Sequence, residues 1–158
     1  MTIILGVDPG FKITGYGIIK YKNSKFYYID SGCICIKNND FYFRLKNIYI
    51  SIYNLMLKFN PDCFVIEKIF VSLKNFDSVL KLGQARGVAL IAGLNFDIPI
   101  FEYSSLQIKK SVTGFRFAKK LHVQHIVKIL LNINTISSID ASDALAIAIT
   151  HCNYNILR

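Results

Sequence analysis

The chain predicts an α/β layered fold: a mixed central sheet of five strands flanked by helices. Two observations carry this. Strand-like segments come first and then alternate with helix-like ones, the order of a layered α/β protein. The segment Cys63-Phe64-Val65-Ile66 is a continuous apolar run, as expected of a parallel strand buried on both faces.

Residues 2–8 read as the first strand, an apolar run of Ile3, Ile4, Leu5 and Val7 that stops at Asp8. Pro9 and Gly10 turn the chain, and a second run begins near Thr14. Residues 13–22 and 25–36 read as strands joined by a turn at Asn23-Ser24, completing an antiparallel meander. Asp40 reads as the N-cap of a helix carrying Leu45, Ile48, Ile52, Leu55, Met56 and Phe59 at helical spacing. Asn60-Pro61 stops it, and the run 63–66 follows and ends in Glu67. A second long helix is expected over 75–93. Its Gly83, Ala85, Gly87, Ala89, Ala92 and Gly93 form a small-residue surface that would admit another backbone. A short strand over 98–103 precedes Ser104 and Gln107, which match a capping box. A basic segment, 109–120, leads into a helix to about Leu131, and a last helix begins near Asp140. No internal repeat, linker or low-complexity tract interrupts 1–158, which reads as one domain.

Composition narrows the function classes. Hydrophobic residues make up 53% of 158 residues, too many for a disordered chain. No apolar stretch reaches the ~18 residues of a membrane helix. No basic start, apolar core and cleavage site follow one another, so no signal peptide is expected and the expected location is cytoplasmic. The net charge of +9 suits a polyanionic partner, nucleic acid above all. Richness in Ile, Asn, Lys, Phe and Tyr offers a second origin for that charge, AT-rich coding DNA. Cys33, Cys35, Cys63 and Cys152 match neither a zinc pattern nor a disulfide framework, and read as buried, reduced thiols.

The chain has only ten acidic residues. Asp40, Asp62, Asp77 and Asp97 fit structural duties at a cap, a strand entry, a helix start and a turn. Asp8, Glu67, Asp140 and Asp143 fit such duties less well. Asp8 and Glu67 each end a strand-like run, so on parallel neighbours both emerge at the carboxyl end of the sheet, where α/β proteins place their sites. Asp140 and Asp143 are three apart and share a helix face. Each has a plainer reading: Asp8 as a turn residue bonding its own backbone, the helical pair as cap and dipole partner. Four carboxylates in one cleft repel one another unless cations join them. Mg²⁺, a hard ion that prefers oxygen, is their natural counterpart. Two such ions ~3.5–4 Å apart suit phosphodiester hydrolysis. His151, eight residues beyond Asp143, is ~12 Å along the helix axis and too far to share a metal. His122 and His125 read as ordinary surface or core histidines.

The chain resembles the Holliday junction resolvases of the RuvC type. The matching segments are ILGVDPG with TGYG after it, RLKNIY, the FVIE strand end, LKLGQARGVA, FEYSSLQIKKSVTG, VQHIV and DASDALAIAITH, in the family's order and spacing. The resemblance implies a ribonuclease-H-like fold, a homodimer, and Mg²⁺-dependent symmetric cutting of four-way DNA junctions in recombination and repair. Two Mg²⁺ ions per site are expected, with Mn²⁺ able to substitute. The family's four metal-binding carboxylates fall on Asp8, Glu67, Asp140 and Asp143. Its base-stacking aromatic falls on Phe70, and its DNA-contacting lysines fall on Lys109 and Lys120. The branch-migration proteins RuvA and RuvB are the implied partners. Two features depart from the family pattern: Lys68 directly after Glu67, and the bulky, basic Phe115-Arg116-Phe117, which leaves Lys119 and Lys120 as alternatives for one contact. Two rival classes remain open: a phosphotransferase of the actin and sugar-kinase clan, which needs a duplicated domain, and a nucleic-acid-binding relative without catalysis.

Overall fold

The computed structural model describes residues 1–37, 40–69 and 76–156. Five strands form one sheet in the order β3-β2-β1-β4-β5. β1 (Thr2–Asp8), β2 (Ile13–Lys22) and β3 (Lys25–Cys35) make the antiparallel meander, while β4 (Cys63–Glu67) and β5 (Ile100–Tyr103) add in parallel beside β1. Asn23 and Ser24 both adopt positive φ, 52° and 57°, as a two-residue hairpin turn that follows strand twist requires. β5 is shorter than expected: Pro99 lacks an N–H for the ladder, although its carbonyl still accepts from Phe64 N at 3.0 Å.

Two helical layers cover the sheet. α1 (Phe41–Phe59) starts at Asp40, whose carboxylate accepts from Phe43 N at 2.6 Å, and ends at a left-handed Asn60. α2 (Phe76–Leu94) lies beside it. Together they bury Leu5, Val7, Ile18, Phe64 and Ile66 on one sheet face. The other face carries Ile4, Ile19, Cys63 and Val65, packed under α3 (Ser105–Thr113), α4 (Lys120–Leu131) and α5 (Ile139–His151). α3 opens with the full capping box of Ser104 and Gln107. A wider helical turn, Cys152–Ile156, closes the described chain.

Two expectations need correction. The small-residue surface of α2 is not one face. Ala85, Ala89, Ala92 and Gly93 are buried against this chain's own core, with Gly93 under the Phe64 ring. Only Gly83 and Gly87 border open space. Nor are all four thiols buried. Cys63 and Cys152 are, but Cys33 is half-buried and Cys35 exposed, because β3 is an edge strand with one side of its pleat toward solvent. All four are free.

Candidate active site

Strand parity brings the first two carboxylates together. Side chains alternate across a sheet, so Ile4, Gly6 and Asp8 face the α5 side, as do Cys63, Val65 and Glu67. Gly6 pairs with Val65 and Val7 with Ile66, which sets Asp8 beside Glu67 at the end of the ladder. Asp8 does not bond its own turn. Thr14 does that work, with its Oγ1 donating to the Gly10 carbonyl at 2.8 Å. The carboxylate is thereby left to the cleft.

α5 delivers the third acid. Ser138 caps this helix, its Oγ accepting from Ala141 N at 3.0 Å, so Asp140 is not needed as the cap. The helix lies almost on the sheet backbone: a Cβ added at Gly6 would come 2.3 Å from the Ala144 carbonyl oxygen, and one at Gly15 would come 2.1 Å from that of Asp140. Only glycine permits this approach. Asp143 then joins Asp8 and Glu67 in a cavity of about 220 Å³, whose wall includes Lys109, Lys120 and Ser105. Asp140 does not line that cavity, although its charge is felt at Asp8.

The electrostatics are those of crowded acids. Burial, then the charges of Glu67 and Asp143, push the Asp8 carboxyl well above the usual carboxylate range. Glu67 is also raised, first by burial and then by Asp143, while hydrogen bonds from Asp8 and Ser105 and the charge of Lys120 oppose the rise. Lys120 Nζ donates to Asp143 Oδ2 at 2.8 Å, and this bond raises the lysine. The expected pair of lysines is thus at the cleft, and it is Lys120 rather than Lys119 that lines it. Phe70 lies outside the described residues.

Two contributors carry little signal in sequence. Ser105 follows the capping Ser104; an adjacent serine pair of which only one caps was the available hint. Arg86, from α2, donates to the Glu67 carbonyl at 3.2 Å and pairs with Glu102 on β5. It tethers the strand end that bears Glu67, and no local pattern announces a contact made 19 residues away. His151 is buried and bonded to Tyr103, apart from the carboxylates as expected. His122 and His125 are exposed.

The donor set fits a hard divalent cation: it is all oxygen, desolvated and short of positive charge. Among the described residues no three Asp, Glu, His or Cys side chains are so placed that they could hold a metal ion by themselves. An open site that water and substrate phosphate complete is the usual habit of Mg²⁺.

The five-stranded mixed sheet, acids at the carboxyl ends of adjacent parallel strands and a helix carrying a further acid define an α/β protein of the ribonuclease-H-like class. Residues 4–151 match the family described as crossover junction endodeoxyribonuclease RuvC, and the chain belongs to that family. It is 51% identical over 153 residues to the crossover junction endodeoxyribonuclease RuvC of Sodalis glossinidius, covering 97% of this chain and 88% of that one. Against the protein of the same name from Pectobacterium atrosepticum it is 51% identical over 155 residues, covering 98% and 91%. Among solved structures, Thermus thermophilus RuvC superposes with a TM-score of 0.86 at 25% identity, covering 98% of this chain and 96% of that one. The yeast mitochondrial Holliday junction resolvase Ydc2 shares the fold at a TM-score of 0.69 and 14% identity, covering 95% and 77%.

Proposed function

We propose that this protein resolves four-way DNA junctions by metal-dependent, symmetric hydrolysis of phosphodiesters, with Asp8, Glu67, Asp140 and Asp143 as the metal-binding carboxylates. The observation that carries the reading is the meeting of Asp8, Glu67 and Asp143, from three separate elements, in one cleft with Lys109 and Lys120. Membership of a family named for crossover junction endodeoxyribonucleases supports it. The family match over residues 4–151 favours this reading over the actin-clan alternative.

Asp8, Glu67 and Asp143, with Asp140 adjoining them, would hold two Mg²⁺ ions, for which Mn²⁺ would substitute. When bound, such ions activate a water and stabilise the leaving oxygen of the phosphodiester. The chain's own groups do the rest. Lys109 and Lys120 hold phosphate oxygens as point charges. Lys120 exchanges its bond to Asp143 Oδ2 for one to phosphate. Positive charge in the cleft would favour the ionised form of the Asp8 carboxyl, which burial and the neighbouring acids push up to about 8. The Ser105 hydroxyl orients Glu67, and Ile108, Val123 and Ile147 give the cleft an apolar wall that limits water. Phe70, three residues past Glu67, is proposed to stack on a base at the junction centre. A homodimer, the branch-migration proteins RuvA and RuvB, and a cytoplasmic location complete the reading. No helix among the described residues is long and apolar enough to cross a membrane.

Junction cutting by Asp8→Asn, Glu67→Gln, Asp140→Asn and Asp143→Asn tests the site. Each is expected to lose cutting by orders of magnitude in Mg²⁺. Metal-free junction binding should persist, and should tighten wherever the change removes a negative charge from a phosphate-binding cleft. A variant that cuts at the wild-type rate removes its residue from the site. This matters most for Asp140, which stands back from the cavity.

A further inference from the structure

The cleft accounts for Lys109 and Lys120 but not for what joins them. Between α3 and α4 the chain runs Gly114-Phe115-Arg116-Phe117-Ala118-Lys119. Phe115 is 68% exposed and Phe117 86%, although both are large apolar rings. The loop that carries them is tightly built. Gly114 takes φ 81° and its N–H bonds the Lys110 carbonyl. Thr113 Oγ1 donates to the Lys109 carbonyl at 2.8 Å and receives Phe115 N at 3.1 Å. Ala118 is buried and its N–H reaches the Phe115 carbonyl at 3.4 Å. Both ends of the loop are fixed, and the two rings are held out in solvent at a cost in exposed apolar area.

Charge says what meets them. Residues 109–120 contain Lys109, Lys110, Arg116, Lys119 and Lys120 and no acid. Phe117 is three residues from Lys120, a reach of at most ~10 Å even in a fully extended chain. The rings therefore stand beside the phosphate-binding wall of the cleft. An apolar protein partner gains nothing from five cations around its contact, whereas a nucleic acid uses both parts: phosphates on the cations, base faces on the rings.

We propose that Phe115 and Phe117 form a stacking platform for DNA bases that have left the helical stack at the branch point, with Arg116 and Lys119 holding the adjoining phosphates. The platform rests on the junction-resolving reading above and extends it to a second aromatic contact, in a segment of the sequence distant from Phe70. It reads junction structure, since a linear duplex keeps its base faces covered.

The test is a titration of the wild type and the Phe115→Ala/Phe117→Ala double variant. Each is titrated without metal against a four-way junction and against a linear duplex with the same arm sequences. Both rings are exposed, so the double variant should keep its melting temperature and sedimentation coefficient. Junction affinity should fall about fivefold or more, the lower end of what one base stack contributes. Duplex affinity and the salt slope should stay unchanged, and Phe117→Trp should keep wild-type junction affinity. Unchanged junction affinity, or an equal loss on both DNAs, overturns the platform. So does a fall in melting temperature that accounts for the lost binding, or a change in oligomeric state. A wild type that does not prefer the junction to the duplex would bring down the function itself, whereas a double variant that keeps a wild-type preference brings down the platform alone.

Discussion

Lys120 is a cation placed inside a cluster of acids. Its ammonium bonds Asp143 and lowers the cost of keeping Asp8 and Glu67 ionised. A phosphate entering the cleft offers that ammonium a competing partner. Lys120→Gln and Lys109→Gln are each expected to weaken binding to every junction alike, and to flatten the log–log salt dependence by about one unit, because one phosphate contact and its released counterion are lost. Binding isotherms over a salt series check this; an unchanged slope removes the lysine from the phosphate path. His151 offers a residue-level test of the fold. Asn155 Nδ2 donates to Tyr103 Oη at 2.8 Å, and Tyr103 Oη lies 3.1 Å from His151 Nδ1. With the phenol donating, Nδ1 accepts and the ring proton sits on Nε2. Burial lowers the imidazole from its ordinary 6.5, since the charged form is excluded. Above about pH 6.5 the ring is neutral folded and unfolded, and its full contribution to stability is present. As pH falls below that, the unfolded chain takes up a proton first, so stability declines until the folded ring also titrates. The melting temperature should therefore drop between about pH 7 and about pH 5 more steeply for the wild type than for His151→Gln. Equal slopes would show that His151 does not contribute.

Among the elements, α5 decides whether there is a site. It rests on glycines of β1 and β2, and its seat sets how far Asp143 reaches toward Asp8. Gly15→Val places a branched side chain where a single Cβ would already come 2.1 Å from a carbonyl. Overpacking of this kind costs about 1–3 kcal/mol, a fall of several degrees in melting temperature for a chain of this size. Cutting by the folded fraction should fall far more than stability does, since the helix carrying two of the acids is displaced. A Gly15→Val protein that cuts at the wild-type rate would show that this contact does not seat α5. The same elements mark what sequence alone could say. The five strands, the helices capped by Asp40 and Ser104 and the two strand-end acids were legible because each depends on local pattern: alternation, period, cap and turn. Asp8 and Glu67 could be paired because parity and a parallel neighbour suffice. What was not legible depends on register and on distant contacts. Helical period divides the small residues of α2 between two faces, but which face is buried depends on where the core lies, as with Gly93 under the Phe64 ring. The Arg86 tether and the pairing of Lys120 with Asp143 join residues 19 and 23 positions apart. The exposure of Cys35 follows from β3 being an edge, which strand order alone reveals.

For the whole molecule, symmetric cutting asks for two cleavage sites related by a two-fold axis, and a two-fold dimer presents one patch to its own copy. The groove between α1 and α2 fits that need. It holds about 460 Å³ and is lined by Leu45, Tyr49, Gly87, Val88 and Ile91 among others. Leu80, Ile91 and Leu94 lie exposed along the same helix. Gly87, one of the two open glycines of α2, lines the groove, and a Cβ there would meet nothing within 4 Å. Gly87→Leu is therefore a clean probe. Within a single chain the new side chain has room, and leucine in place of glycine favours the helix by up to about 1 kcal/mol, so the monomer should stay folded with an undiminished melting temperature. Against a second copy the same side chain would fill the groove that the partner must enter. Gly87→Leu should sediment as a monomer, and its cutting should change in kind as well as rate. Each molecule still carries one cleft, so single nicks should replace the paired cuts that release two linear duplexes. Sedimentation and the ratio of nicked to resolved product read the two consequences separately. A Gly87→Leu protein that remains dimeric and resolves junctions moves the interface elsewhere. A monomer that still makes paired cuts breaks the link between two-fold assembly and symmetric cutting.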